Sequence, residues 1–250
     1  MRLLGIVGGI APESTVEYYR LLVATYRERT GDGSYPPLVI NSIDLTTMLD
    51  LIAGGRLAEV TSYLLTEIGR LARAGADVAL LASNTPHIVF DDLARQSPVP
   101  LLGIVEAACD AAQGLGLRRV GLFGTRFTMQ GGFYRKVFEK QSITVCVPTP
   151  EDQAYIHEKY MGELVQGIYL PETRARLLQI GARLAQTEGI EGLILGGTEL
   201  PLLLRDGGDL GIPLLDTTRI HVDRAIAEML SPTHVKENGP CQKASIRSSS

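Results

Sequence analysis

A chain of 250 residues, 45% hydrophobic and 21% charged, is long enough for one large packed domain or two small ones. A net charge of −4 gives no electrostatic reason to expect a nucleic-acid partner, and without a run of about 18 apolar residues nothing reads as membrane-spanning. Three cysteines (Cys109, Cys146, Cys241) and four histidines (His87, His157, His221, His234) show neither a disulfide framework nor metal-ligand spacing, so no metal site is expected.

The opening residues, Met1-Arg2-Leu3-Leu4-Gly5, lead straight into an apolar run that ends in glycines. That run is too short and too glycine-rich for a signal peptide, so a cytoplasmic location is expected. Short apolar runs then alternate with amphipathic stretches, the pattern of βαβ units. Strands are predicted at Leu3–Gly8, Leu38–Ile43, Val78–Ala82, Leu101–Ile104, Arg119–Gly124, Thr144–Val147, Gly192–Leu195 and Pro213–Leu215. The runs near Val78, Val120 and Gly192 are almost continuously apolar, which suits parallel strands covered on both faces. Helical periodicity marks Ser14–Arg29, Leu57–Ala72, Glu151–Gln166 and Glu172–Glu188; in the second of these Leu57, Val60, Leu64, Ile68 and Leu71 recur with a period near 3.6. Cys109 falls in a helical stretch and Cys146 in an apolar strand, so both read as packing residues. Residues 231–250, with Pro232, Gly239, Pro240 and a terminal serine run, have no periodicity and are expected to be disordered.

The chain repeats itself. Gly75-Ala76-Asp77-Val78-Ala79-Leu80-Leu81-Ala82-Ser83 matches Gly189-Ile190-Glu191-Gly192-Leu193-Ile194-Leu195-Gly196-Gly197. Pro100-Leu101-Leu102 matches Pro213-Leu214-Leu215, and Leu4-Gly5-Ile6-Val7-Gly8 matches Val120-Gly121-Leu122-Phe123-Gly124, all in the same order and at nearly one offset. The expected fold is therefore α/β, with two similar lobes, each a parallel sheet flanked by helices, related by a pseudo-two-fold axis. Residues 1–100 with 214–230 are assigned to the first lobe and 101–213 to the second. Ligands of parallel sheets bind at the carboxyl ends of strands, so the cleft between the lobes is the expected site.

Four polar corners are predicted to converge there: Gly8-Gly9 with Glu13-Ser14-Thr15, Ser83-Asn84-Thr85 with His87, Gly124-Thr125-Arg126 with Thr128, and Gly196-Gly197-Thr198-Glu199. Small residues, hydroxyls and free N–H groups before a helix favour an anion such as a carboxylate or phosphate. The Gly8-Gly9 turn lacks the GxGxxG spacing of a dinucleotide site. Each corner alone is equally well read as helix capping.

Taken together, these pieces and Pro213-Leu214-Leu215-Asp216-Thr217 resemble the aspartate/glutamate racemase family, particularly its aspartate racemase branch, over roughly residues 1–230. The resemblance implies a homodimer that needs no cofactor, neither pyridoxal phosphate nor metal, and in which two cysteines on opposite sides of the substrate α-carbon remove and return its proton. Those cysteines precede Asn-Thr and Thr-Glu; here the positions hold Ser83 and Gly197. A thiol ionises near pH 8.5 and can be tuned toward neutrality, whereas a serine hydroxyl needs an adjacent base and glycine offers nothing. Ser83, His87 and Glu199 are the catalytic candidates that remain. Gly9, Asp44, Asn84, Thr85, Thr125, Thr128, Gly197 and Thr198 are the expected contacts to a small carboxylate or amino acid. Asp44 reads equally as a helix cap and His221 as a packing residue. Arg126 is the cation within the corners that an acidic ligand would want, and Gly197 is expected to open space on the second face. Two functions follow: an isomerase or lyase with altered chemistry that does not use two thiols, or an inactive carboxylate-binding or regulatory protein.

Overall fold

The computed structural model describes residues 1–204 and 210–231. Two four-stranded parallel sheets form. The first, in the order β2-β1-β3-β4, is built from β1 (Leu4–Gly8), β2 (Leu38–Ser42), β3 (Val78–Leu81) and β4 (Leu101–Leu102). The second, in the order β6-β5-β7-β8, comprises β5 (Arg119–Gly124), β6 (Thr144–Cys146), β7 (Gly192–Gly196) and β8 (Leu214–Asp216). The orders are the same after duplication, so the internal repeat read in the sequence is a repeat of architecture. All eight predicted strands are present. Their registers pair Leu4–Val7 with Val78–Leu81 in the first sheet, and Val120–Gly124 with Gly192–Gly196 in the second.

Both faces of each sheet are covered, as the continuous apolar runs require. In β1, Val7 faces Leu64, Ile68 and Leu71, while Leu4 and Ile6 face Tyr18, Leu22 and Ile226. In the second sheet Phe123, Leu193 and Leu195 pack on Ile156, Leu177 and Ile180, and Val120, Leu122 and Ile194 on Val105, Ala108 and Phe138. The predicted long helices fall at Pro12–Thr30, Leu57–Arg73, Pro150–Gly162 and Pro171–Glu188. The helix Leu45–Ala53 follows β2, and Asp44 takes the cap role open to it in sequence, accepting from the N–H groups of Thr46 (3.0 Å) and Thr47 (3.3 Å).

The lobes exchange helices. β4 lies in the first sheet, but the helix that follows it, Ile104–Gly114, packs in the core of the second. β8 lies in the second sheet, and its following helix, Thr217–Leu230, returns to cover the first. Lobe limits drawn from sequence at 100/101 and 213/214 therefore sit just ahead of these two strands, and the chain passes between lobes just after them. Two buried histidines hold the first crossing. Nε2 of His87 accepts the N–H of Ile104 (3.1 Å), while His221 donates from Nε2 to the Leu102 carbonyl (3.0 Å) and accepts at Nδ1 from Tyr18 Oη (2.9 Å). Of residues 231–250, expected to be disordered, 232–250 lie outside the described residues. No helix among the described residues is long and apolar enough to cross a membrane.

Burial pushes both imidazoles down, His87 to about 3, helped by the nearby His221, and His221 to about 4. Unfolded histidine titrates near 6.5. Below that pH the unfolded chain binds more protons than the folded one, so stability falls as pH drops from about 6.5 toward 4, by up to ~1.4 kcal/mol per histidine per pH unit. Urea midpoints should decline measurably between pH 7 and pH 5, above the range in which ordinary carboxylates titrate. A midpoint that stays flat over that interval contradicts the assignment of both rings as buried neutral clamps.

Candidate functional site

The strand ends of the two sheets face one cleft, with about 490 Å³ of space including its open mouth. Ser83, Asn84 and Thr85 enter it from the end of β3, and Gly197, Thr198 and Glu199 from the end of β7. Thr125, after β5, lines it while its hydroxyl caps the short helix Arg126–Gln130. Ile10, Ala11 and Ser14 contribute the turn after β1. Parallel strand ends with no connection across them leave these corners free to face a ligand.

Four expected site residues are not among those lining the cleft. Gly9 has φ +83°, and a Cβ there would meet the backbone nitrogen of Ile43 at 2.7 Å; its N–H donates to Thr15 Oγ1 (2.8 Å). It shapes the turn and contacts nothing in the cleft. Asp44 is exposed and spends its oxygens on the helix cap described above. Thr128 is buried beneath Thr125, with the two hydroxyls 3.2 Å apart. His87 turns away into the lobe crossing, stacked on Phe90 with ring centroids 4.8 Å apart. With its Nε2 lone pair taken by Ile104, His87 has no basic nitrogen to offer Ser83. Arg126 is exposed and does not line the cleft either.

Asn84 and Glu199 are fixed by partners from distant parts of the chain. The Asn84 side chain donates to Thr217 Oγ1 (3.3 Å) and accepts from Tyr134 Oη (2.6 Å), so a second-lobe tyrosine and the start of the crossing helix Thr217–Leu230 hold a first-lobe corner. Glu199 accepts from the Tyr160 hydroxyl, and the hydroxyl oxygens of Ser14 and Thr198 lie 3.1 and 2.7 Å from its carboxylate. Those two hydroxyls also bond each other, so one donates to its neighbour while the other donates to Glu199. A buried carboxylate is stable only with such partners.

Tyr160 is the residue that sequence reasoning missed. It sits on the helix Pro150–Gly162, packs in the second-lobe core and lines the cleft. A Cβ placed on Gly197 would lie 2.6 Å from the Tyr160 hydroxyl oxygen and 2.7 Å from Cζ, distances that real Cβ atoms do not reach. The space above Gly197 is thus not open, as expected from its missing side chain, but filled by the tyrosine ring. Burial, and then the adjoining Glu199 carboxylate, push the phenol well above its ordinary range, so Tyr160 is a proton donor and not a base at neutral pH. In the sequence it was one more apolar position of a periodic helix; only the empty position at Gly197 hinted that something else must fill that space.

Cys109 and Cys146 are free, buried and absent from the cleft; burial raises both thiols, Cys109 to about 11. Cys241 lies outside the described residues. Among the described residues no cluster of His, Cys, Asp or Glu is disposed to hold a metal ion.

Comparison with known proteins gives the same frame. Residues 7–225 match the family described as Asp/Glu/Hydantoin racemase. The chain is 31% identical over 174 residues to a glutamate racemase of Thermus thermophilus, a match that takes in 67% of this chain and 61% of that protein, so it spans about three fifths of that relative's length. It is 24% identical over 219 residues to a broad-specificity amino-acid racemase of Bacillus subtilis, covering 86% of this chain and 93% of the other. The crystal structure of an aspartate racemase homologue from Pyrococcus horikoshii superposes with a TM-score of 0.80 at 34% identity, over 92% of this chain and 99% of that one.

Replacing Tyr160 by Phe deletes one donor to the buried Glu199 without emptying the ring's space. The variant should fold and lose about 1–3 kcal/mol in urea denaturation. A loss below about 0.3 kcal/mol would mean that Glu199 does not depend on the phenol.

Proposed function

Because this chain belongs to the Asp/Glu/Hydantoin racemase family, we propose that it binds a small carboxylic acid in the inter-lobe cleft and handles the ligand's proton on one face only, through the Tyr160 hydroxyl backed by Glu199. The observation that carries this reading is the tyrosine ring over Gly197, on the face where a second thiol would stand. Neutral donors at the corners, Ser83, Asn84, Thr85 and Thr125, suit a carboxylate.

Racemisation by two bases needs a proton acceptor on each face of the α-carbon. Ser83 stands on one face with a hydroxyl too weakly acidic to ionise unaided, and His87 is occupied elsewhere. On the other face Tyr160 can donate but does not accept at neutral pH. What remains is delivery of a proton to a carbon that has become electron-rich by losing another group. In a decarboxylation of an α-carbon that bears two carboxylates, the bond to one breaks and carbon dioxide leaves; the electron pair is shared with the carboxylate that stays at the corners, and the α-carbon takes the phenolic proton as the hydroxyl turns from Glu199; water then returns a proton to the phenolate, and its hydroxide is taken up by the carbon dioxide as bicarbonate. That is lyase chemistry, and it needs no enzymic base on the Ser83 side. Binding without chemistry is the second reading, favoured by the lack of any side-chain base hydrogen-bonded to Ser83 among the described residues.

Wild-type protein incubated in D₂O with D- or L-aspartate or glutamate should leave the α-hydrogen unexchanged by mass spectrometry. Ser83→Cys combined with Gly197→Cys should also fail to racemise them, because Tyr160 occupies the second thiol's space; adding Tyr160→Ala should be the change that admits exchange. Racemisation by the wild type, or by the double variant with Tyr160 in place, contradicts the one-face reading.

A further inference from the structure

The walls of the cleft differ in character from its corners. Resting on the carboxylate-binding reading above, we infer that the ligand's side chain is apolar, and that the side-chain carboxylate of aspartate or glutamate is excluded. Leu45, Met48 and Leu49 project from the helix Leu45–Ala53 on one side, and Met161 and Val165 stand on the other. Among the described residues no lysine, arginine or histidine lines the cleft.

The charge arrangement reinforces the walls. The carboxylate within the cleft is Glu199; Glu13 and Glu17 line a neighbouring depression that shares Ser14, Thr198 and Glu199 with it. Arg20, the cation nearest in sequence to that group, is held by Glu17 at 2.7 and 2.8 Å. A ligand's first carboxylate has hydroxyl and amide donors at Ser83, Asn84, Thr85 and Thr125. A carboxylate at the side-chain end would leave water for a methionine- and leucine-lined wall with no counter-charge, beside Glu199, which is unfavourable. A branched hydrocarbon of the same length gains by leaving water there. Leucine and glutamate are similar in length and differ mainly in that end, as are 4-methylpentanoate and glutarate, so the pairs isolate the wall's preference.

Isothermal titration calorimetry of the full wild-type chain with these four compounds, the amino acids in both D and L forms, tests the inference. Binding of 4-methylpentanoate or leucine at least tenfold tighter than that of glutarate or glutamate is the expected result. Met161→Arg should reverse the order, strengthening glutarate tenfold or more; Leu49→Arg on the opposite wall is the alternative should the first variant not fold. Equal or tighter binding of glutarate or glutamate to the wild type overturns the inference and leaves the carboxylate-binding reading intact. Absence of heat and of any thermal shift with all four at millimolar concentration overturns both.

Discussion

The contact between the Tyr160 ring and the bare Cα of Gly197 organises this cleft. With any side chain at 197 the ring would be driven back. Small-to-large changes in a packed interior cost about 1–3 kcal/mol because neighbours must leave their preferred rotamers. The two positions are therefore tied: glycine admits the ring, and the ring places a phenol against Glu199. Ser14 and Thr198 complete that carboxylate's shell, so one buried anion draws together the turn after β1, the end of β7 and the helix Pro150–Gly162.

The precision of this arrangement depends on the lobes being held as one body. Reciprocal exchange of the helices after β4 and β8 gives each lobe a core that the other completes. His87 and His221 fasten the chain where it first crosses, which is why a histidine placed beside a polar corner by sequence serves the scaffold and not the ligand. Asn84 belongs to both roles. Its amide is anchored by Thr217 and Tyr134, and the same residue faces the cleft.

Much of this was legible in the chain itself. Strand positions, the duplication and the facing corners follow from apolar runs and from repeats such as Val78–Ser83 against Gly192–Gly197, because local patterning reports burial directly. Ser83, Asn84, Thr85, Thr125, Gly197, Thr198 and Glu199 all reach the cleft as read. Gly9, Asp44, Thr128 and His87 do not, for one shared reason: a polar residue next to a strand end either faces the ligand or satisfies the backbone of the turn, and sequence spacing is the same for both. Tyr160 was illegible for a different reason. Its partner lies 37 positions away on another element (160 against 197), and nothing local distinguishes a tyrosine that fills a functional space from one that fills the core.

A double-mutant cycle in equilibrium unfolding measures the coupling between Tyr160 and Gly197 directly. Gly197→Ala, Tyr160→Ala and the pair would be compared with the wild type. The structure predicts that alanine at 197 is destabilising with the tyrosine present and nearly neutral once the ring is gone, a coupling of about 1 kcal/mol or more. Additive effects within about 0.3 kcal/mol would show that the ring does not occupy the space above Gly197, and the assignment of that face to Tyr160 would fall.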